Sequence, residues 1–248
     1  MKNNIFIIIL FLFFSYQNAQ SQNKAYLIGD STCADYDENR LPLTGWGTKF
    51  KDLITGAVVI NHARSGRSSK SFYNEPEAWP QTIAQVSSGD FVFIQFGHND
   101  QKTDPERHTI PFTTYQEYLL KYINETRAKN AYPVLVTSIY RNYWTYDNQL
   151  YHSLGDYPAA MIELAQEENV PLIDLNELTK LKMEELGRNY CTYYIFMNLF
   201  PETHENYPNG LCDDTHLQNI GADIFANLVF NKTNELKSQY SYLSPLFN

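Results

Sequence analysis

The stretch "YLIGDST", residues 26–32, is an apolar run that ends abruptly in Gly29, Asp30 and Ser31. Continuous hydrophobicity is typical of a strand in a parallel sheet, because helices cover such a strand on both faces. A serine that follows such a strand lies at the carboxyl edge of the sheet, where α/β proteins place their active sites. The stretch therefore predicts a buried first strand that delivers a functional hydroxyl.

Four further apolar runs alternate with segments of helical periodicity. The runs are "AVVIN" (57–61), "DFVFIQFG" (90–97), "YPVLVTSI" (132–139) and "VPLIDL" (170–175). Segments that start at Thr113 and Asp156 carry apolar residues at helical spacing after polar N-terminal signals, and a last helix is predicted from about Asn219. The alternation predicts one α/β domain, a three-layer α/β/α sandwich around a five-stranded parallel sheet.

The first 21 residues differ in character from the rest of the chain. Lys2 is followed by the apolar run "IFIIILFLFF" and then by small and polar residues, which predicts a secretory signal peptide over residues 1–21 and a folded domain over 22–248. The apolar run is too short for a bilayer span, which needs about 20 residues. We therefore expect a secreted or periplasmic protein without a stable membrane anchor.

The charge and cysteine content of the chain limit the kinds of partner and cofactor that we expect. The formal net charge is −9 at pH 7, and the absence of a Lys/Arg cluster argues against a nucleic-acid partner. The three cysteines are too few to staple the domain; if one pair forms, Cys191 with Cys212 is favoured over a pair with Cys33, and the sequence leaves this open. Neither H-E-x-x-H nor clustered His/Cys spacing occurs, so we expect no metal. We also expect a monomer.

Polar clusters follow three of the predicted strands and precede the last helix. Besides Ser31, they are "NHARSG" (61–66), "GHND" (97–100) and "CDDTH" (212–216). Loops at the carboxyl ends of parallel strands meet at one edge of the sheet. The sequence therefore places serine, glycine, asparagine, histidine and aspartate side by side.

These residue types suit acyl transfer. A serine hydroxyl becomes a nucleophile when an imidazole removes its proton and a carboxylate orients that imidazole, and Ser31, His216 and Asp213 can fill these roles. The three-residue spacing in "DDTH" lets one turn present both the carboxylate and the imidazole. Donors for an oxyanion are expected from the N–H groups of Ser31 and Gly66 and from the side-chain amide of Asn99.

The motifs "GDST", "ARSGRSS", "GHND" and "DDTH" occur in the same order as the blocks of the SGNH (GDSL-like) hydrolase superfamily, which the chain resembles. The longer strings "GDSTCADY", "NHARSGRSSKSF", "GHNDQKTDP" and "DDTHLQNIGA" resemble the rhamnogalacturonan acetylesterase branch. The resemblance implies a flavodoxin-like sandwich and a serine esterase that needs no metal or cofactor. It also implies removal of acetyl groups from plant cell-wall polysaccharide, with Ser31, Gly66, Asn99, Asp213 and His216 in the roles given above.

Several alternatives stay open at this point. The α/β-hydrolase nucleophile elbow is disfavoured, because Cys33 stands where G-x-S-x-G requires a second glycine. Xylan or a small acyl ester could be the substrate, and a non-catalytic carbohydrate-binding module is the alternative of another class. Arg67 and Arg141 could pair with a uronate carboxylate or with a local acid. His98 could line the site or orient its loop by bonding backbone, and the aromatic stretch "YRNYWTY" (140–146) could stack on sugars or pack as a surface loop.

Overall fold

The sheet has five parallel strands, as the apolar runs predict. The computed structural model describes residues 22–247, so the predicted signal peptide over residues 1–21 and the last residue lie outside the described part. The strands are β1 (Lys24–Gly29), β2 (Val58–Asn61), β3 (Phe91–Gln95), β4 (Tyr132–Val136) and β5 (Leu172–Ile173). Their order is β2-β1-β3-β4-β5. This is the flavodoxin-like arrangement, with β1 and β3 side by side at its centre.

Two hydrophobic cores explain why the strands read as unbroken apolar runs. Along β1, Leu27 faces one core together with Phe93 of β3, whereas Tyr26 and Ile28 face the other. The two central strands pair in register from Ala25 opposite Phe91 to Gly29 opposite Gln95. Because both faces of the central strand β3 are covered, every residue of β3 is buried, whereas the edge strand β2 is partly exposed.

Eight α-helices lie in the described part of the chain, and all of them except the three-residue α7 bury side chains. They are α1 (Trp46–Leu53), α2 (Ser69–Asn74), α3 (Trp79–Gln85), α4 (Gln116–Ala128), α5 (Tyr157–Glu167), α6 (Leu175–Leu186), α7 (Arg188–Tyr190) and α8 (Asn219–Leu236). Helices α1, α6 and α8 bury Phe50, Met183 and Phe225 in the first core. Helices α2 to α5 bury residues such as Tyr122 and Met161 in the second. The result is the predicted three-layer sandwich.

The fifth strand is shorter than the run 170–175 predicts. Only two of its residues pair with β4, because the Asp174 carboxylate accepts a hydrogen bond from the N–H of Glu177 at 3.3 Å and caps α6. Leu175, the last residue of the run, is therefore already helical. The three predicted helices are present, and the one predicted from Thr113 starts with a π-helical turn over Pro111–Tyr115.

The cysteine pair favoured by the sequence does not form in the structure. All three thiols are free. The Cys191 side chain is buried and its Sγ lies 3.5 Å from the carbonyl oxygen of Met183, whereas Cys212 is exposed. The π-helical turn Cys191–Ile195 turns the first thiol into the core, away from the loop that carries the second.

Within residues 22–247, no helix combines the length and the apolar character that a bilayer crossing requires.

Candidate active site

The turn after β1 holds the Ser31 hydroxyl at the carboxyl edge of the sheet. The Asp30 carboxylate is buried and accepts hydrogen bonds from the N–H and Oγ1 of Thr32 at 2.9 and 2.8 Å, which closes the turn. A Cβ on Gly29 would lie 2.8 Å from the carbonyl oxygen of Gln95, so only glycine lets β1 pass β3 here. The Ser31 carbonyl is held by the Tyr36 hydroxyl at 2.7 Å. These contacts fix the backbone on both sides of the Ser31 side chain.

The structure brings Ser31, His216 and Asp213 into one hydrogen-bonded chain. His216 Nε2 lies 2.9 Å from Ser31 Oγ, and His216 Nδ1 lies 2.7 Å from Asp213 Oδ2. The two contacts join the first strand of the chain to the loop before its last helix, 185 residues apart. The arrangement lets the hydroxyl give its proton to an imidazole that a carboxylate orients.

Asp213 is held in its ionised form by its own loop. Its second oxygen, Oδ1, accepts hydrogen bonds from the N–H groups of Thr215 and His216 at 2.9 and 3.0 Å. Burial opposes the charge, but the hydrogen bond and charge of His216 together with these N–H groups outweigh it and lower the pKa of Asp213 to about 2. The carboxylate is therefore charged wherever the imidazole can act as a base.

The acid next to it, Asp214, anchors the loop, a role that the motif "CDDTH" does not by itself indicate. Its Oδ1 accepts hydrogen bonds from the side-chain amides of Asn142 and Asn198 at 2.7 and 2.8 Å. Asn142 also donates through its backbone N–H to the Asp214 carbonyl, 2.9 Å away, and through its side chain to Thr192 Oγ1, 3.1 Å away. The sequence signal that bears on this role is the pair of adjacent acids in "CDDTH". Adjacent side chains on one loop point in different directions, so only one of the two carboxylates can face His216.

Three candidate oxyanion donors lie on the loops after β1, β2 and β3. Gly66 has φ +80°, a conformation that favours glycine. Asn99 donates one side-chain N–H to the carbonyl of Arg67 at 3.1 Å, which fixes the amide against the loop of Gly66. Within residues 22–247, the N–H groups of Ser31 and Gly66 have no hydrogen-bond acceptor. Such unoccupied donors suit a developing negative charge.

Arg67, a predicted substrate-binding residue, is paired with a local acid. Its Nε and one terminal nitrogen contact the two carboxylate oxygens of Glu75 at 2.7 and 2.9 Å. Arg64 contacts the same carboxylate at 2.8 Å. Two partly exposed guanidinium groups thus share one carboxylate, which leaves net positive charge beside Gly66.

Arg141 is buried rather than presented on the surface. Its guanidinium donates to Ser153 Oγ at 3.2 Å. When the Gln101 amide is oriented so that both of its polar atoms have partners, its oxygen accepts from the two terminal nitrogens of Arg141 at 2.8 and 2.6 Å. These acceptors are neutral, and burial lowers the pKa of Arg141. Its predicted role in binding a uronate stays a prediction, and its positive charge acts on Asp30 and Asp213 from within the protein.

His98, the third predicted substrate-binding residue, is anchored inside the protein. Its Nδ1 lies 3.1 Å from Asp30 Oδ2 and its Nε2 lies 3.1 Å from the carbonyl oxygen of Ile139. Only 3% of its surface is exposed. The ring therefore bonds the loops after β1 and β4, which is the loop-orienting alternative that the sequence left open.

The next acid in the motif "GHND", Asp100, links two of the loops that carry candidate oxyanion donors. Its carboxylate accepts hydrogen bonds from the N–H of Ser69 at 3.1 and 3.2 Å, from Ser69 Oγ, and from Thr109 Oγ1 at 3.0 Å. Burial raises the pKa of Asp100 to about 7, although these hydrogen bonds oppose the shift. Asp100 thus joins the segment after Gly66 to the segment that holds Asn99.

A family model matches most of the chain. The model of the GDSL-like lipase/acylhydrolase family matches residues 27–224, from β1 to the start of α8. The chain belongs to this family. The superfamily predicted from the four motifs is confirmed, and the matched range includes every residue of the hydrogen-bonded chain described above.

Two relatives of this GDSL-like esterase come from Bacillus subtilis (strain 168). The chain is 40% identical over 215 residues to the rhamnogalacturonan acetylesterase RhgT, covering 86% of this chain and 90% of that protein. It is 38% identical over 218 residues to the probable rhamnogalacturonan acetylesterase YesY, covering 86% and 94%. The predicted rhamnogalacturonan acetylesterase-like branch is confirmed, and the protein is an esterase.

Solved structures share the fold of this GDSL-like esterase. YxiM of Bacillus subtilis superposes with a TM-score of 0.69 at 27% identity, over 89% of this chain and 57% of that chain. The acetylxylan esterase Axe2 of Geobacillus stearothermophilus superposes with a TM-score of 0.59 at 19% identity, over 85% and 93%. At that identity, the second likeness shows the α/β fold alone.

Proposed function

We propose that the protein is an exported carbohydrate esterase that removes O-acetyl groups from a pectic polysaccharide of the rhamnogalacturonan type. The observation that carries the proposal is the hydrogen-bonded chain from Ser31 Oγ through His216 to Asp213, with distances of 2.9 and 2.7 Å. Its geometry supports a serine hydrolase mechanism with a covalent acetyl-enzyme.

In the proposed acylation step, Ser31 Oγ attacks the carbonyl carbon of the acetyl group while His216 Nε2 takes the hydroxyl proton. The carbon–oxygen bond to the sugar then breaks, and His216 returns the proton to the departing sugar oxygen. Water then attacks the carbonyl carbon of the acetyl-serine while His216 takes a proton from it. The bond from that carbon to Ser31 Oγ breaks, His216 returns the proton to Oγ, and acetate leaves. Asp213 stabilises the imidazolium in both steps without taking the proton.

The negative charge of the tetrahedral intermediate is assigned to three donors. The N–H groups of Ser31 and Gly66 and the second side-chain N–H of Asn99 lie on the loops after three neighbouring strands. Donors that are fixed before the reaction stabilise developing charge at little reorganisation cost. The Asn99 contact with the Arg67 carbonyl supports this assignment, since it restrains the amide.

The substrate class rests on the relatives and on local charge. RhgT bears the name of a rhamnogalacturonan acetylesterase and is 40% identical to this chain. The protein is acidic overall, so a galacturonate-containing polymer needs local positive charge to approach it. Arg64 and Arg67, which share the single carboxylate of Glu75, supply net positive charge next to Gly66.

The test compares acetate release from three esters: acetylated rhamnogalacturonan, acetylated xylan and 4-nitrophenyl acetate. We expect the highest kcat/KM on acetylated rhamnogalacturonan, and no release on any ester by a folded Ser31→Ala variant. Turnover by Ser31→Ala equal to that of the unaltered protein would refute the mechanism. A higher kcat/KM on xylan would refute the pectic substrate and leave the mechanism in place.

Export is part of the proposal and has its own measurement. We expect the protein recovered outside the cytoplasm to lack the predicted signal peptide over residues 1–21. N-terminal sequencing of that protein gives the cleavage site. Recovery of the chain with Met1 or Lys2 still at its start would contradict the export part alone.

A further inference from the structure

Four aromatic side chains lie exposed on the segment between α6 and the Asp213 loop. We call them the aromatic platform: Tyr190, Tyr193, Tyr194 and Phe200. Tyr193 and Phe200 stack with centroids 5.2 Å apart and planes at 19°, and Tyr190 and Tyr194 lie 5.0 Å apart at 34°. Phe200 is 59% exposed and Tyr193 is 45% exposed. Adjacent exposed aromatic rings form a patch of the kind that marks a binding surface.

The platform is attached to the loop that carries His216. The N–H of Met197 donates to the carbonyl of His216 at 2.9 Å, and the side chain of Gln218 donates to the carbonyl of Tyr193 at 2.9 Å. Between the platform residues, Cys191 and Ile195 are fully buried in the core. The rings therefore lie on a segment that is hydrogen-bonded to the loop of the proposed base.

A pocket of about 530 Å³ continues the platform at Tyr190. Its wall combines one further aromatic ring with charged and polar side chains. The lining includes Trp144, Asn148, Glu184, Arg188 and Asn189. Trp144 lies in the aromatic stretch after β4 that the sequence singled out, and the adjacent Asn142 is bonded to Asp214 of the His216 loop. The volume is in the range of small-molecule sites.

The combination of aromatic rings and polar side chains on this surface suits a sugar better than an acyl chain. A pyranose ring has an apolar C–H face that packs on an aromatic ring and hydroxyl groups that bond polar side chains. The aromatic rings of the platform can pack against the apolar face, and the tyrosine hydroxyls and the polar pocket lining can bond the sugar hydroxyls. A long acyl chain has no hydroxyl groups for these polar side chains to bond.

We propose that the aromatic platform and the adjoining pocket bind sugar residues of the polysaccharide on one side of the acetylated sugar. This inference rests on the proposed function, since it assigns a further subsite to the same substrate. The platform holds the chain so that the acetyl group reaches Ser31, and it contributes nothing to the hydrolysis of an ester too small to extend onto it.

The test is a Tyr193→Ala, Phe200→Ala double variant assayed on acetylated rhamnogalacturonan and on 4-nitrophenyl acetate. We expect the KM for the polysaccharide to rise about tenfold, the size expected from losing one or two aromatic contacts. Hydrolysis of 4-nitrophenyl acetate should stay within about twofold. Phe112→Ala is the matched control, because Phe112 is 46% exposed and lies on the π-helical turn before α4.

One further double variant and one assembly measurement complete the test. A Tyr193→Phe, Phe200→Tyr double variant keeps both rings and should restore the KM for the polysaccharide. An unchanged polysaccharide KM in the alanine variant, or equal losses on both esters, overturns the platform and leaves the esterase intact. Sedimentation that shows a dimer broken by the alanine variant, with KM unchanged, makes the platform a subunit contact instead. If the unaltered protein hydrolyses 4-nitrophenyl acetate and no polysaccharide, the proposed function falls together with this inference.

Discussion

Two histidines in this protein each face an aspartate through Nδ1, and the difference between them lies at the second ring nitrogen. His216 is 2.7 Å from Asp213, and its Nε2 faces the hydroxyl of Ser31 at 2.9 Å. His98 is 3.1 Å from Asp30, and its Nε2 faces the carbonyl oxygen of Ile139 at 3.1 Å. The first pair is partly exposed, whereas the second is buried.

The comparison shows what an aspartate–histidine contact requires before it can act as a base. A hydroxyl donates its hydrogen and leaves the Nε2 lone pair in place to receive the proton, whereas a carbonyl only accepts. Burial lowers the pKa of His98, and the Asp30 carboxylate opposes the shift. In either protonation state, Nε2 of His98 faces the Ile139 carbonyl. We therefore assign proton transfer to the His216 pair and loop anchoring to the His98 pair.

The largest predicted effect is that of His216→Ala. We expect kcat on 4-nitrophenyl acetate to fall by about 10⁴-fold or more, because the base that activates Ser31 is gone. Steady-state kinetics on a preparation with an unchanged melting transition measures it. A folded His98→Ala variant with an equal loss of kcat would break the distinction between the two histidines.

The second effect is that of Asp213→Asn, which keeps the shape of the side chain and removes its charge. We expect kcat to fall by about 10³-fold, less than for His216→Ala, since the carboxylate orients the imidazole without taking the proton. Comparing kcat of the two variants on the same ester tests the order. A greater loss for Asp213→Asn would mean that the two roles are misassigned.

The third effect concerns Asn99, the direct neighbour of the anchoring histidine. We expect Asn99→Ala to lower kcat by about 10² to 10³, some 3 to 4 kcal/mol, with KM nearly unchanged, because the amide acts mainly in the transition state. Measuring kcat and melting temperature on one preparation separates this from a purely structural contact with the Arg67 carbonyl. A normal kcat with a lower melting temperature would remove Asn99 from the oxyanion donors.

The fold could be predicted from the sequence because its signals are local and redundant. Five apolar runs that alternate with segments of helical periodicity leave few topologies other than a parallel sheet covered by helices. The polar residues that meet at Ser31 were found in the same way, since each one follows a strand or precedes the last helix. Their grouping at one edge depends only on strand direction, which periodicity reveals.

The partners of individual side chains could not be predicted in this way. Arg67 bonds Glu75 and Arg141 bonds Gln101, contacts that depend on how loops of different strands pack together. Asp214 directly follows Asp213 in the sequence, yet its carboxylate bonds Asn142 and holds the loop. The sequence pattern shows which edge a residue reaches, but the packing of neighbouring loops decides which partner it meets.

The fourth prediction turns to the anchoring pair itself. We expect His98→Ala to lower the free energy of unfolding by about 3 kcal/mol, since it leaves a cavity and removes the partner of a buried carboxylate. The kcat of the folded variant should fall less than about fivefold, because His98 does not touch the reacting atoms. Urea unfolding and kcat, with the exposed His108→Ala as control, measure the two quantities. An undiminished stability would contradict the anchoring role.

The smallest predicted effect on catalysis is that of Asp100→Asn. Asp30 has a histidine partner, whereas the groups that donate hydrogen bonds to Asp100 are all neutral. The pKa of Asp100 is raised to about 7 in the folded protein, whereas an unfolded aspartate titrates near ~4. Between these values the folded state holds the proton that the unfolded state has lost, so the free energy of unfolding falls as pH rises from about 4 to about 7.

Asp100→Asn cannot titrate, so the stability of the unaltered protein relative to this variant should decline across that window by at most about 4 kcal/mol, and change little above it. Urea unfolding of both proteins at several pH values, with the exposed Asp147→Asn as control for the loss of one charge, measures the decline, and kcat of the variant should stay within about threefold. A stability difference that is constant with pH would show that Asp100 is already ionised throughout, held by Ser69 and Thr109 as firmly as Asp30 is held by His98.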